Sequence, residues 1–300
     1  MHDENAHAAY LPDPAALRRS FDRAATSYDG AALLQAEIRE ELLRRLDFVA
    51  LDPRVIIDAG AGTGHASRAL RRRYPRARII ALDFAPGMLR AAGRQQSWRR
   101  RFDRIRAELT ALPLGDASVD LIFCNLTLPW CEPDAFFAEM RRIIAPGGHF
   151  TLTSLGPDSL HELRAAWSGL DAHVHVNRFI DMHDLGDGLV RAGFADPVLD
   201  VERRLVTYAD VSRLMQDLRA CGERNVLRGR PKGLTGRSRM QAMRDAYERF
   251  RHDGRLPASF EVVFAQAWAP VPRPAVRTPD GDTLIEFETF KRQLRRGRPA

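Results

Sequence analysis

Asp58 ends a short apolar run, Val55-Ile56-Ile57, and three glycines follow at once, Gly60, Gly62 and Gly64, separated by Ala61 and Thr63. Asp83 stands twenty-five residues further on, at the end of a second apolar run, Ile79-Ile80-Ala81-Leu82. Glycines at this spacing let the backbone take positive φ and let a ligand approach with no Cβ in the way. A strand that turns through such glycines into a helix builds a nucleotide-type pocket at its carboxyl end, and the helix beginning near His65 aims free N–H groups at it. Dinucleotide folds space the glycines G-x-G-x-x-G, with a pyrophosphate on the helix end. Here the third glycine comes one residue early and an acid precedes the first. An acid at Asp58 suits a cationic amino-acid-type ligand, and a carboxylate at Asp83 suits the two hydroxyls of a ribose.

These side chains need a sheet to hold them. Apolar runs alternate with amphipathic helical stretches, the pattern of a doubly wound parallel sheet. Strands are expected at Val55–Asp58, Ile79–Asp83, near Ile105, Val119–Asn125, His149–Ser154, near Val198–Val201 and Phe260–Ala267. A helix opened by Pro133-Asp134 stops before Ala145-Pro146-Gly147-Gly148, where it cannot continue. Residues 156–190 and 203–257 break the alternation and are expected, with 15–48, to form a helical cap over the strand ends. Glu108 and Leu109 follow the third strand, where a carboxylate and a backbone N–H could meet an adenine. The fourth strand exits through Asn125 and Leu126 to Trp130, which either walls the reaction site or packs in the core. His65 reads as the first residue of a helix rather than a base.

Composition bounds the rest. Three hundred residues, 45% apolar and 28% charged, suffice for one globular domain over residues 1–270, with 271–300 a C-terminal extension behind the proline-rich linker Pro270–Pro279. No run is apolar for long enough to span a bilayer. The acidic Met1–His7 lacks the form of a signal peptide, and Cys124, Cys131 and Cys221 lack metal spacing, so a cytoplasmic protein with neither disulfide nor metal is expected. The net charge of +7 comes almost wholly from arginine, with Lys232 and Lys291 the only lysines. Clusters such as Arg71–Arg73, Arg99–Arg101 and Arg141-Arg142 read as solvated helix faces. No basic platform interleaved with aromatic residues appears, so neither a nucleic-acid nor a membrane partner is expected.

The glycine motif at Asp58–Gly64, the acid at Asp83 and the segment Asp120–Asn125 resemble those of class I S-adenosylmethionine-dependent methyltransferases. More closely, the chain resembles the malonyl-[acyl-carrier protein] O-methyltransferases of biotin synthesis. The likeness rests on Phe21–Tyr28, N-L-x-x-x-W-C at Asn125–Cys131, His161–Trp167, H-x-N-R-F at His175–Phe179, Arg219–Gly222, Leu234–Arg237 and the G-R-L-P before the last strand. It departs from that pattern at Pro129, often glutamine, at Glu108, usually aspartate, and at Ala61, often cysteine. The resemblance implies a Rossmann-like α/β fold with a seven-stranded, mostly parallel sheet and a helical cap. It also implies S-adenosyl-L-methionine as cofactor and an acyl carrier protein bearing a malonyl thioester as partner. Asp58, Gly60, Ala61, Gly62, Gly64, Asp83, Phe84, Met88, Glu108, Leu109, Asn125, Leu126 and Tyr28 then hold the cofactor, Tyr28 and Phe21 as a lid.

A malonyl carboxylate is already ionised at neutral pH, so its methylation needs no general base, which agrees with a chain lacking an obvious catalytic dyad. Orientation by a cation or an amide is still needed. Arg178, flanked by His175 and Asn177, is the candidate, with Trp130 beside it; the alternative is that Arg178 is a surface arginine. Two other functions fit the cofactor residues: methylation of another small carboxylate or metabolite, and a non-methylating assembly or hydroxylating factor on the same fold. RNA methylation lacks both an appended RNA-binding module and the N/D-P-P-Y/F motif.

Overall fold

The computed structural model describes residues 9–99 and 101–272, together with the backbone of 276–277 and 283–284. The acidic start and nearly all of the linker and extension lie outside these residues. Three helices come first, α1 (Pro14–Ala24), α2 (Tyr28–Ala31) and α3 (Leu33–Arg45). There follow β1 (Val55–Ala59), α4 (His65–Arg73), β2 (Arg78–Asp83), α5 (Pro86–Arg94), β3 (Asp103–Arg106), β4 (Val119–Cys124), α6 (Pro133–Ile143) and β5 (Ile144–Leu155). The chain continues through α7 (His161–Trp167), α8 (Met182–Arg191), β6 (Ala195–Tyr208), α9 (Val211–Ala220), α10 (Arg237–Glu248) and β7 (Leu256–Trp268).

Seven strands lie in the order β3-β2-β1-β4-β5-β7-β6, parallel from β3 to β5 and antiparallel at β7 and β6. This is the expected doubly wound α/β sheet. Chain order reverses between β1 and β4, and at such a switch point the connections leave to opposite faces and open a crevice at the carboxyl ends. The central strands read as unbroken apolar runs because both faces are covered. On one face Ile38, Leu42, Leu70 and Phe123 are buried together. On the other, Phe136, Phe137 and Met140 of α6 meet Leu185 and Leu189 of α8.

Two stretches expected in the cap belong to these layers. Met182–Arg191 is a sheet-flanking helix, because Leu185 and Leu189 are fully buried against α6. Residues 203–208 continue β6, which pairs with β7 from Ala195 to Tyr208 and so far outruns Val198–Val201. Its polar Glu202-Arg203-Arg204 hides an edge strand that needs only one buried face. What remains over the strand ends is α7, the loop from 168 to 181, α9, and the loop beyond it.

Capping places the helices. Asp13, Glu132, Asp181 and Asp210 each accept from backbone N–H groups in the first turn of α1, α6, α8 and α9, with Pro14 and Pro133 at first helical positions. The N-terminal helices are stitched to two distant segments. Asp22 Oδ1 accepts from the Gly87 N–H at 2.6 Å, and Ser20 Oγ and Ser27 Oγ donate to the Gly222 and Ala220 carbonyls at 2.8 and 2.9 Å. Gly222 has φ +81°, and a Cβ there would sit 2.9 Å from the Phe21 ring, so only glycine lets α1 approach.

The exit of β4 is held by one buried hydroxyl. Thr153 Oγ1 donates to Asn125 Oδ1 at 3.0 Å and accepts from the Leu126 N–H at 2.9 Å, where Leu126 sits at φ +53°. Thr153→Val keeps the shape and removes both bonds. We expect it to lower unfolding free energy by about 1–3 kcal/mol in a urea titration.

Candidate active site

The turn after β1 is fixed by its own backbone. Gly60 and Ala61 N–H groups both donate to the Leu82 carbonyl, at 2.9 and 2.8 Å, and the Gly64 N–H donates to the Ala61 carbonyl at 2.9 Å. Gly62, at φ +53°, has no atom within 4 Å of where a Cβ would lie, so the turn presents bare backbone to an open space. Gly60 faces the Thr127 side chain, which closes over it.

Both acids sit beneath this turn, almost wholly buried. Asp83 Oδ2 accepts from the Gly62 N–H at 2.9 Å and Oδ1 from the Ala85 N–H at 2.8 Å. Asp58 Oδ2 accepts from Ser67 Oγ at 2.5 Å. Loss of water pushes each carboxyl up to about 6 against these hydrogen bonds. Such carboxylates favour a ligand that brings a cation or hydroxyl donors.

Three adjoining chambers open at the strand ends. The inner one joins Asp58, Gly62 and Asn125 to Tyr28, Gln35 and Arg39 of the N-terminal helices. A side chamber carries Asp83, Phe84 and Met88 with Phe21 and Tyr28. Phe21 meets Phe84 edge-on at 5.9 Å and Trp130 edge-on at 5.5 Å, so the three rings form one wall. The outer chamber runs beneath the cap and includes Trp130, His175, Asn177, Glu223 and Arg224. Trp130 thus lines two chambers rather than the core.

The remaining expected residues fall in different places. Asn125 and Leu126 stand where chambers meet. Tyr28 is desolvated, which raises its hydroxyl well above the usual range and keeps it protonated. Leu109 is buried in the second core, whereas Glu108 is exposed, and neither belongs to the chamber walls. Arg178 is exposed, its guanidinium 4.6 Å from the Tyr10 ring centre, and lies outside the outer chamber. His175 stacks on Trp167, centroids 3.7 Å apart, and pairs with Asp171 at 2.8 Å, so it braces the cap. Asn177 clips the cap to β4's exit, donating to the Pro129 carbonyl at 3.1 Å. That bond uses backbone, so the proline at 129 leaves it intact. His65 begins α4 and pairs with Asp29 at 3.1 Å, tying α2 to the glycine turn.

Sequence reasoning passed over three residues on these walls. Gln35 and Arg39 share one face of α3, where i, i+4 spacing was visible but unremarkable. Glu223 follows Gly222 and gives no local signal.

A methyltransferase-domain family model matches residues 57–152, which hold β1 to β5. The malonyl-[acyl-carrier protein] O-methyltransferase of Methylovorus sp. (strain MP688) is 50% identical over 286 residues, covering 93% of this chain and 96% of that one. This chain belongs to that methyltransferase family. The relative of the same name from Laribacter hongkongensis is 47% identical and covers 93% of this chain and 97% of its own. Among solved structures, a putative methyltransferase from Bacillus halodurans shares the fold, with a TM-score of 0.53, 16% identity, and coverage of 77% of this chain and all of that one.

The residues present fit the family's cofactor, S-adenosyl-L-methionine. Asp83 keeps lone pairs for ribose hydroxyls, Asp58 and Arg39 offer opposite charges to an amino-acid end, and Phe84 and Met88 give an apolar bed for a base. Because each buried acid has its pKa raised on folding, it stabilises the ligand-free protein at low pH, and that contribution fades as pH rises toward 6. Ligand binding to the ionised acids runs the other way. Calorimetry with S-adenosylhomocysteine is expected to show affinity rising from pH 5 to pH 7 with proton release, and Asp83→Asn is expected to flatten that rise.

Proposed function

We propose that the protein transfers a methyl group from S-adenosyl-L-methionine to the free carboxylate of a malonyl thioester on acyl carrier protein. The product would be the malonyl methyl ester that serves biotin biosynthesis, made in the cytoplasm. The observation that carries this reading is the junction of chambers. Two are lined by the acids and glycines expected to hold a charged nucleoside with an amino-acid tail, and a third, of mixed apolar and polar lining, shares Gln35 with one of them and Gln35, Leu126, Trp130 and Glu223 with the other.

When bound, S-adenosyl-L-methionine supplies an electrophilic methyl carbon on a sulfonium. Asp83, Asp58 and Arg39 would hold the two ends of that molecule, and the Phe84–Phe21–Trp130 wall would help exclude water from the chamber beside them. An ionised carboxylate needs no proton removed. This matches an outer chamber whose histidine is already committed to Asp171 and Trp167. What the protein contributes is alignment, for which effective molarities can reach about 10⁵–10⁸ M, and desolvation of a charged nucleophile under the cap.

Exposed arginines of the cap support a carrier with an acidic surface. Arg224 lines the outer chamber and is exposed, and Arg178, outside that chamber, faces solvent against the Tyr10 ring. The buried free thiols of Cys124 and Cys221 fit a reducing compartment.

Labelled-methyl transfer is to be compared on malonyl-carrier protein, malonyl-coenzyme A and free malonate. Transfer to the malonyl carrier, as a mass gain of one methylene lost on ester hydrolysis, is expected. Transfer to free small acids without a carrier would point to another metabolite, and cofactor binding without transfer to any malonyl acceptor would overturn the assignment. Arg178→Ala with Arg224→Ala is expected to raise KM for the carrier-bound substrate, less so at high salt, and to leave KM for malonyl-coenzyme A nearly unchanged.

A further inference from the structure

Gln35 is the one side chain that borders all three chambers as described above. It sits near the start of α3, and its backbone carbonyl accepts from Asn125 Nδ2 at 3.2 Å, which ties it to the exit of β4. Its side-chain amide reaches the other way, donating from Nε2 to Glu223 Oε1 at 2.8 Å. A single hydrogen-bonded line therefore runs from Thr153 through Asn125 and Gln35 to Glu223, from sheet to N-terminal helix to cap.

Several other polar groups near this junction are already committed. Asn125 spends its amide on Gln35 and its oxygen on Thr153, and the Leu126 N–H is held by Thr153. The Tyr28 hydroxyl faces the two cofactor chambers and not the outer one. On the outer side, Arg224 and Arg178 are exposed to solvent. The Gln35 amide borders all three chambers and already presents an N–H to a carboxyl oxygen, that of Glu223.

We propose that the Gln35 amide is the group that receives and orients the acceptor carboxylate, and that the Glu223 carboxyl occupies that position until the acceptor enters. The proposal rests on the reading of this site as a carboxylate methyltransferase. The Gln35–Glu223 contact is then a resident example of the bond the acceptor makes. A primary amide carries two N–H groups, so Gln35 can meet an incoming oxygen while Glu223 yields one position. A neutral donor also suits the chemistry. A guanidinium clamp would hold both oxygens and draw charge from the nucleophile, whereas one amide fixes a spectator oxygen and leaves the other free to attack. Burial raises the Glu223 carboxyl above its usual range, which favours its neutral form and lets a second carboxyl group approach. No proton is consumed: the carboxylate oxygen gains the methyl, the sulfonium becomes a thioether, and Glu223 and Gln35 end as they began.

The test compares malonyl pantetheine with its methyl ester, titrated by calorimetry into protein loaded with S-adenosylhomocysteine. Wild-type protein is expected to bind the acid more tightly than the ester. Gln35→Ala is expected to lose about 10-fold or more of that preference, the range for a hydrogen bond to a charged group, while ester affinity holds and so reports an intact fold. Gln35→Glu, of equal size, is expected to lose the preference as well. Glu223→Ala removes the competitor and is expected to tighten acid binding and lower KM. Retained preference in Gln35→Ala, or its loss in Glu223→Ala with Gln35 unchanged, would overturn the assignment. If wild-type protein itself shows no preference and transfers no methyl group to malonyl acceptors, the methylation reading fails, and this proposal fails with it.

Discussion

Two carboxylates held out of water at neighbouring strand ends set the terms for this molecule. Asp58 and Asp83 each have the carboxyl raised to about 6 by burial. Loss of water weighs against the charged form of both. That cost is tolerated because β1 and β2 lie in the middle of a sheet covered on both faces. A ligand with hydroxyls and an ammonium group relieves it. The glycine turn leaves room above the acids, and everything else at the site serves to close that room.

Closure comes from parts far apart in the chain. The first three helices lie over the strand ends, and their anchors are few and specific: Asp22 on Gly87, Asp29 on Thr63 and His65, Ser20 and Ser27 on the segment after α9. The cap answers from the other side through Asn177 on Pro129 and Asn225 on the Val174 carbonyl. Lid and cap meet at Gly222 and Glu223. Glu223 walls both the side chamber and the outer chamber, so a change there reaches the two together.

Local patterns carried the cofactor half of this account and long-range packing carried the rest. The acid, the glycines and the second acid fall within one strand–turn–helix–strand unit, where spacing alone dictates geometry. The class of fold and the seven strands followed from apolar runs, although β6 was underestimated because an edge strand pairs through backbone and tolerates charge on its open face. Gln35, Arg39 and Glu223 left no such trace. Gln35 and Glu223 are 188 residues apart, and each looks like an ordinary polar residue of a surface helix or loop until the fold brings them together. The histidine and asparagine of H-x-N-R-F line the outer chamber but brace the cap, and the arginine faces solvent. Glu108 follows β3 as expected, but the chain turns it outward.

The account meets its most direct test in a crystal structure of the protein with S-adenosylhomocysteine and malonyl pantetheine bound together. It predicts ribose hydroxyls on Asp83, the malonyl carboxylate at the junction with one oxygen on Gln35 Nε2, and Glu223 displaced from that contact. A carboxylate held instead by Arg178 or Arg224 at the rim, with the Gln35–Glu223 bond intact and the thioester nearest the sulfur, would contradict it.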